Sequence, residues 1–491
     1  MDVFLRTVLA VLEERKVAPP PLPVVLFLPG GPGSRLIRES DGKVIFGKNR
    51  VDAAEIALID ADSLKVKVEL LKTYDVYGIH QDIYGEIEKA LKAAIDGNGN
   101  YKPWPYDWRL DAGTLAQRLG DDLKKTYAGR EIFILAHSHG GVVAWKWQEQ
   151  YDPKNDPFTV DHMVLLGSPI RGSCEFARLL TTGWRTPPGV PSDLLAKLLN
   201  KWLMGDIRPA AFTMPGTFLI LTPQPPTGWP DGRLDAGCLD QVQLFPNKDP
   251  EASILNPHSL TFWQTPLGEE FVDKAWDKLK IPKTQFWDLL RDAIDAGNKY
   301  RPDLSKRNIH HMRYFYSMDY PTTRKQRLVL DEHGRLATDS QVEDAAMGDE
   351  NPLTLTELGD GRVLGMTPRE PRVCTEPHPE LCAECANATP KNPVCCMGPL
   401  EDVCVDRVTL THGSLPAAHD FLEYVEKVLG PTVTAMRVRS LARDLRQRLE
   451  SLPLRQRLSE VDWKALVNEV SATKTNPDTV RALQVAIFGP Q

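Results

Sequence analysis

No stretch of this chain approaches the about 20 consecutive apolar residues that a membrane-spanning helix needs. A basic surface is missing too. Lysine and arginine number 59 against 66 aspartates and glutamates, a formal net charge of -7, which gives nucleic-acid binding no basis. No secretion signal is legible either. Residues 1–16 carry one arginine ahead of a short apolar stretch, then Glu13 and Glu14, and no small-residue cleavage site follows. The segment reads as an amphipathic helix, so the expectation is a cytoplasmic protein or a chain shown without its leader.

Cysteine is sparse over most of the length. Cys174 and Cys238 stand alone, whereas Cys374, Cys382, Cys385, Cys395, Cys396 and Cys404 crowd one short stretch. Such crowding marks either a stapled loop, which would fit a secreted or periplasmic protein, or a metal knuckle. Cys382-x-x-Cys385 with Cys395, Cys396 and Cys404 has thiolates enough for a structural zinc but lacks a regular second knuckle spacing. Disulfides, zinc and free thiols all stay open there. Cys174 and Cys238 are placed to cross-link the region they share. None of these cysteines sits in a catalytic motif, and no cofactor or catalytic metal is expected.

What is present is material for a large core: 491 residues, 42% hydrophobic and 25% charged, the balance of a soluble globular chain. The stretch that organises it is Glu131–Trp145, EIFILAHSHGGVVAW. Ile132–Leu135 is a run of β-formers, and Val142–Trp145 opens a helical pattern. A strand turning sharply into a helix pushes the turn residue's side chain out of the sheet's end. Small residues two before and two after, here Ala136 and Gly140, let strand and helix approach. Ser138 is therefore the candidate nucleophile, and the His139 N–H can face a developing oxyanion. The alternative is a plain glycine-rich turn.

Upstream, the Pro19–Pro23 run makes a stiff spacer. Val24–Leu28 is a wholly apolar strand candidate, followed by Pro29-Gly30-Gly31-Pro32-Gly33. A buried strand ending in glycines can bring a backbone N–H to a reacting carbonyl. Pro32 has none, so Gly31 is the second donor candidate. Asp75–Ile95 shows helical spacing, with Ile87, Leu91, Ala94 and Ile95 on one face. Pro105-Tyr106-Asp107-Trp108-Arg109 reads as core packing with an internal ion pair. Leu115, Leu119 and Leu123 predict a helix, and Met163–Leu166 the next buried strand. Apolar strands alternating with helices argue for a mostly parallel sheet with helices on both faces.

From about 170 to 301 the pattern breaks into short helical pieces rich in proline and tryptophan, with no clear sheet strand after a Phe218–Leu221 candidate. This reads as a cap over the site, its tryptophans taken first as the cap's own core. Strand pattern resumes at His311–Ser317, and Arg327–Leu330 with Asp331–Leu336 suggests a hairpin. Asp360 lies between glycines after a polar loop, and His412 in a turn before a helix whose apolar face is Phe421, Leu422, Val425 and Leu429, ending at Gly430-Pro431. A serine hydroxyl needs a base, and the base an acid to orient it. His412 and Asp360 fill those roles, over the competitors His419, Asp319 and Asp349. After Pro431, Leu441, Leu445, Leu449 and Leu452 stripe a helix ringed by arginines. That helix packs on its own domain or, with the cap, meets a membrane surface.

These motifs together resemble the lecithin:cholesterol acyltransferase-like family of α/β-hydrolases. The likeness rests on Leu28–Leu36, Pro105–Arg109, Ala136–Gly141, Gly167-Ser168-Pro169 with Gly172-Ser173, and Gly359–Val363, in that order. Departures are Ala136 for glycine, Pro32 in the loop, Arg362 for threonine, and the cysteine insert. The resemblance implies an α/β-hydrolase fold with Ser138, Asp360 and His412 as triad, and the Gly31 and His139 amides as oxyanion hole. It also implies cleavage or transfer of lipid acyl esters. The expected organisation is an N-terminal helix and spacer (1–23), a hydrolase domain (24–430) with its cap (about 170–301) and cysteine insert (374–404), and a helical extension (431–491). Hydrolysis, acyl transfer to an alcohol, and a catalytically silent binding scaffold are the three functions to be separated.

Overall fold

The computed structural model describes residues 21–48, 51–76, 79–95, 99–170, 172–182, 207–221, 239–243, 254–273, 275–303, 311–316, 320–330, 354–359, 372–373, 395–397, 400–407 and 419–437, with 306, 308–309 and 440. Its centre is a sheet built from β1 (Val24–Leu28), β2 (Asn100–Pro103), β3 (Glu131–His137), β4 (Thr159–Leu166), β5 (His311–Tyr316), β6 (Arg372–Val373), β7 (Cys395–Met397) and β8 (Leu400–Arg407). The spatial order is β6-β7-β8-β5-β4-β3-β1-β2. Pairing from β2 across to β8 is parallel, and the antiparallel pairs are β8 with β7 and β7 with β6. Every residue of β1 and β3 is buried, as unbroken apolar runs require when helices cover both faces.

Three helices feed the central strands: α1 (Gly85–Ala94), α2 (Ala112–Thr126) and α3 (His139–Gln148). The first two are amphipathic, burying Ile87 and Leu91, and Leu115, Leu119 and Leu123. Asp111 caps α2, accepting from the Thr114 N–H at 2.7 Å. Helix α3 is buried nearly all round, so it lies inside the molecule rather than on it. From β1 the chain passes to β2 at the sheet edge and then returns to β3 on the other side of β1. That reversal falls between β1 and β3, and open α/β sheets place their ligands at the carboxyl ends of the strands flanking such a point. The fold is that of an α/β-hydrolase.

Several elements differ from the sequence reading. Asp75–Ile95 is not one helix: Thr73–Val76 pairs with Ile79–Asp82 as a hairpin before α1 begins. Phe218–Leu221 is no sheet strand, since Pro215 starts a short helix through Ile220. Strand does follow it, at Leu239–Gln243, in a second sheet with Ile254–Leu255, Tyr320–Leu330 and Thr354–Gly359. Arg327–Leu330 closes the long strand Tyr320–Leu330 and pairs there with Asp240–Gln243, while the other half of the expected hairpin, 331–336, lies outside the described residues. Gly430-Pro431 does not stop the last helix. A π turn at Val425–Leu429 precedes the proline, and helix continues to Arg437. Such a widened turn accommodates a ring that has no N–H to give.

In the 170–301 region, short helices surround Trp263, which is wholly buried and meets Phe212 edge-on at 5.2 Å. Trp276 and Trp287 are half-buried against the same core. The tryptophans described here are thus core. Cys174 is disulfide-bonded. Residues 183–206, the 374–394 part of the cysteine insert and the extension beyond 440 lie outside the described residues. No described helix is long and apolar enough to cross a membrane.

Candidate active site

Register brings the site together. Leu28 of β1 pairs with Ala136 of β3, so the residues two beyond each, Gly30 and Ser138, leave the sheet side by side. A methyl at Gly30 would stand 2.9 Å from the Ser138 Cβ. Only hydrogen fits there.

Ser138 has φ 52° and ψ -124°, a conformation that costs a side-chain-bearing residue about 1–3 kcal/mol. The surroundings enforce it. Its N–H is held by the Leu166 carbonyl at 2.8 Å. Helix α3 then packs so tightly that a Cβ on Gly140 would meet the Pro29 oxygen at 2.4 Å, and one on Gly141 the Ser168 Oγ at 1.8 Å. The small residues of the motif are therefore demanded by close approach. The His139 N–H opens α3, where no helical acceptor exists for it.

The loop after β1 is fixed from several sides. Gly33 N–H bonds the Gly30 carbonyl at 2.6 Å. Tyr106 donates its hydroxyl to the Pro29 carbonyl at 2.8 Å, and its own N–H goes to Ser34 Oγ at 3.1 Å. Trp108 donates its ring N–H to the Ser34 carbonyl at 3.2 Å. Among the described residues no acceptor takes the Gly31 N–H, which leaves it as the loop's donor.

Next to Trp108 in the chain, Arg109 is wholly buried. It forks onto Asp107 at 2.8 and 2.7 Å, and reaches the Ile56 and Ser63 carbonyls at 3.0 and 2.8 Å. The Pro105–Arg109 stretch is thus packing with an internal ion pair, as its composition suggests, and its task is to buttress the loop.

His139 is also buried, its ring edge-on to Tyr106 at 5.6 Å. Among the described residues neither ring nitrogen has a hydrogen-bond partner, and burial pushes its pKa down to about 4. The imidazole is neutral and lies against Gly31, where an added Cβ would touch its Nδ1 at 3.0 Å.

Of the expected site residues, Ser138, Gly31 and His139 are brought together. Asp360 and His412 lie outside the described residues, as do the competitors Asp319 and Asp349. His419 opens a helical turn, His419–Tyr424. Two participants escaped the sequence reading. Tyr84 donates or accepts at His137 Nδ1 over 2.8 Å and accepts the Gly30 N–H at 2.8 Å. His137 stood within the quoted motif without a role, and nothing in the Asp75–Ile95 pattern singles out Tyr84. No described cluster of histidine, cysteine and carboxylates could hold a metal ion.

Sheet order, elbow and loop define the class: an α/β-hydrolase-fold protein with a serine at positive φ on its strand-to-helix elbow. No protein-family model matches the chain, and no curated protein matches it. Among solved structures it is similar to a chain of the Tle4–Tli4 complex, at 13% identity over 85% of this chain and 99% of that one, TM-score 0.49. It is also similar to the haloalkane dehalogenase DbeA-M1 loop variant from Bradyrhizobium elkanii, at 10% identity over 86% and 92%, TM-score 0.27. A third is phospholipase PlaB from Legionella pneumophila, at 13% identity over 57% and 64%, TM-score 0.18. Likenesses this distant carry nothing about activity.

Proposed function

We propose that this protein is a serine hydrolase that cleaves carboxylic esters, the acyl esters of lipids in particular, through an acyl-enzyme. The observation that carries the proposal is Ser138 held at positive φ beside Gly30 of the glycine loop and at the head of a buried helix. Its Oγ attacks the ester carbonyl and yields its proton to His412. The Gly31 and His139 amides hold the oxyanion, and Asp360 orients the imidazole. Collapse expels the alcohol, which takes the proton back from His412. Water, deprotonated by the same imidazole, then frees the acid and restores the serine. The lipid preference rests on the family resemblance of the sequence motifs. The disulfide at Cys174 supports an oxidising compartment over the cytoplasm.

The test is release of p-nitrophenol from esters of graded chain length, with and without an added alcohol. The expected result is turnover that rises with chain length and falls about 10⁴-fold or more in Ser138→Ala and His412→Ala. Product appearing only with the alcohol would identify a transferase. No release and no fluorophosphonate labelling would identify a silent scaffold.

A further inference from the structure

The Tyr84 hydroxyl touches both halves of the site at once. It accepts the Gly30 N–H at 2.8 Å and lies 2.8 Å from His137 Nδ1. Gly30 belongs to the oxyanion loop, and His137 is the residue before the nucleophile. The ring is buried, packed edge-on against Phe27 at 5.1 Å, so no water competes for these contacts. Burial also pushes the Tyr84 hydroxyl well above its usual range, and it keeps its proton. With its oxygen accepting from Gly30, that proton has His137 Nδ1 as acceptor, which sets the imidazole with hydrogen on Nε2.

The Pro29–Gly30 peptide is held at both ends, its carbonyl by the Tyr106 hydroxyl at 2.8 Å and its N–H by Tyr84. Rotation of that peptide would break both bonds. The next peptide, Gly30–Gly31, is fixed through its carbonyl, which accepts the Gly33 N–H at 2.6 Å, and its own N–H, that of Gly31, stays unspent. We infer that Tyr84 is a positioning residue for the serine reaction: its hydroxyl ties the oxyanion loop to the strand end that carries Ser138. The role rests on the hydrolase reading above. It touches neither substrate nor reacting atoms, so removing it should cost transition-state stabilisation and leave ground-state binding alone.

Tyr84→Phe in the full chain removes one oxygen and keeps the ring. The expected result is kcat on a p-nitrophenyl ester about 10- to 100-fold lower at unchanged KM. Affinity for an alkyl boronic acid, a tetrahedral analogue, should fall by the same factor. His137→Leu should lose as much, and the double variant no more than either. Nitrogen-15 spectra of the wild-type imidazoles read the bridge without any variant, and His137 should carry its hydrogen on Nε2. An Nδ1–H tautomer, a Tyr84→Phe kcat within twofold of wild type, a change in KM alone, or additive losses would each overturn the role. Where wild type turns over and Tyr84→Phe matches it, only the role falls. A wild type inert to ester and fluorophosphonate removes the hydrolase reading and the role with it.

Discussion

A serine forced to φ 52° is held there by its neighbours at a cost the fold carries. The Leu166 carbonyl holds its N–H, and Gly140 and Gly141 allow the helix to close over it. Alanine at 138 would remove the hydroxyl and keep the strain, whereas glycine adopts this conformation freely. Ser138→Gly is therefore expected to be more stable than Ser138→Ala by about 1 kcal/mol, after glycine's own entropic cost is set against the strain relieved. Urea denaturation of the two variants measures the difference. Equal midpoints would mean that the elbow is not strained.

Among the elements around the site, one buried ion pair joins three stretches of chain. Arg109, inaccessible to solvent, joins Asp107 to the Ile56 and Ser63 carbonyls and adjoins in sequence Tyr106 and Trp108, which grip the loop. Removing one member leaves a charge with no water to solvate it. Arg109→Met should destabilise the fold by about 3–5 kcal/mol, and the Asp107→Leu/Arg109→Met pair by less. Chemical denaturation decides the order, and a double variant as weak as the single would contradict the account. Much at this scale was legible in sequence. The unbroken apolar runs of β1 and β3 fixed their burial, and the glycine spacing of Ser138 fixed the elbow. Asp75–Ile95 misled because helical spacing of apolar residues from Ile87 onward gives no hint that a hairpin precedes them. Phe218–Leu221 misled because an apolar run of four is helix or strand by period alone, and Pro215 settles it as a first-turn proline. Tyr84 was invisible because its partners lie more than fifty residues away in the chain.

At the scale of the whole molecule, the neutral His139 ties stability to pH. The unfolded imidazole titrates near its usual 6.5 and the folded one at about 4, so between those values only the unfolded chain binds the proton. Stability from this group is complete above pH 6.5 and falls progressively toward pH 4, by about 3 kcal/mol. His139→Leu should show a flatter loss over that window in denaturation curves recorded from pH 7 to 4. An unchanged slope would mean that the ring protonates in place. The central claim concerns a covalent bond. Brief exposure to a p-nitrophenyl ester, acid quenching and peptide mass spectrometry should find one acyl group on the peptide carrying Ser138, absent from Ser138→Ala. An acyl adduct on another residue, or ester cleavage that Ser138→Ala retains, would contradict the account.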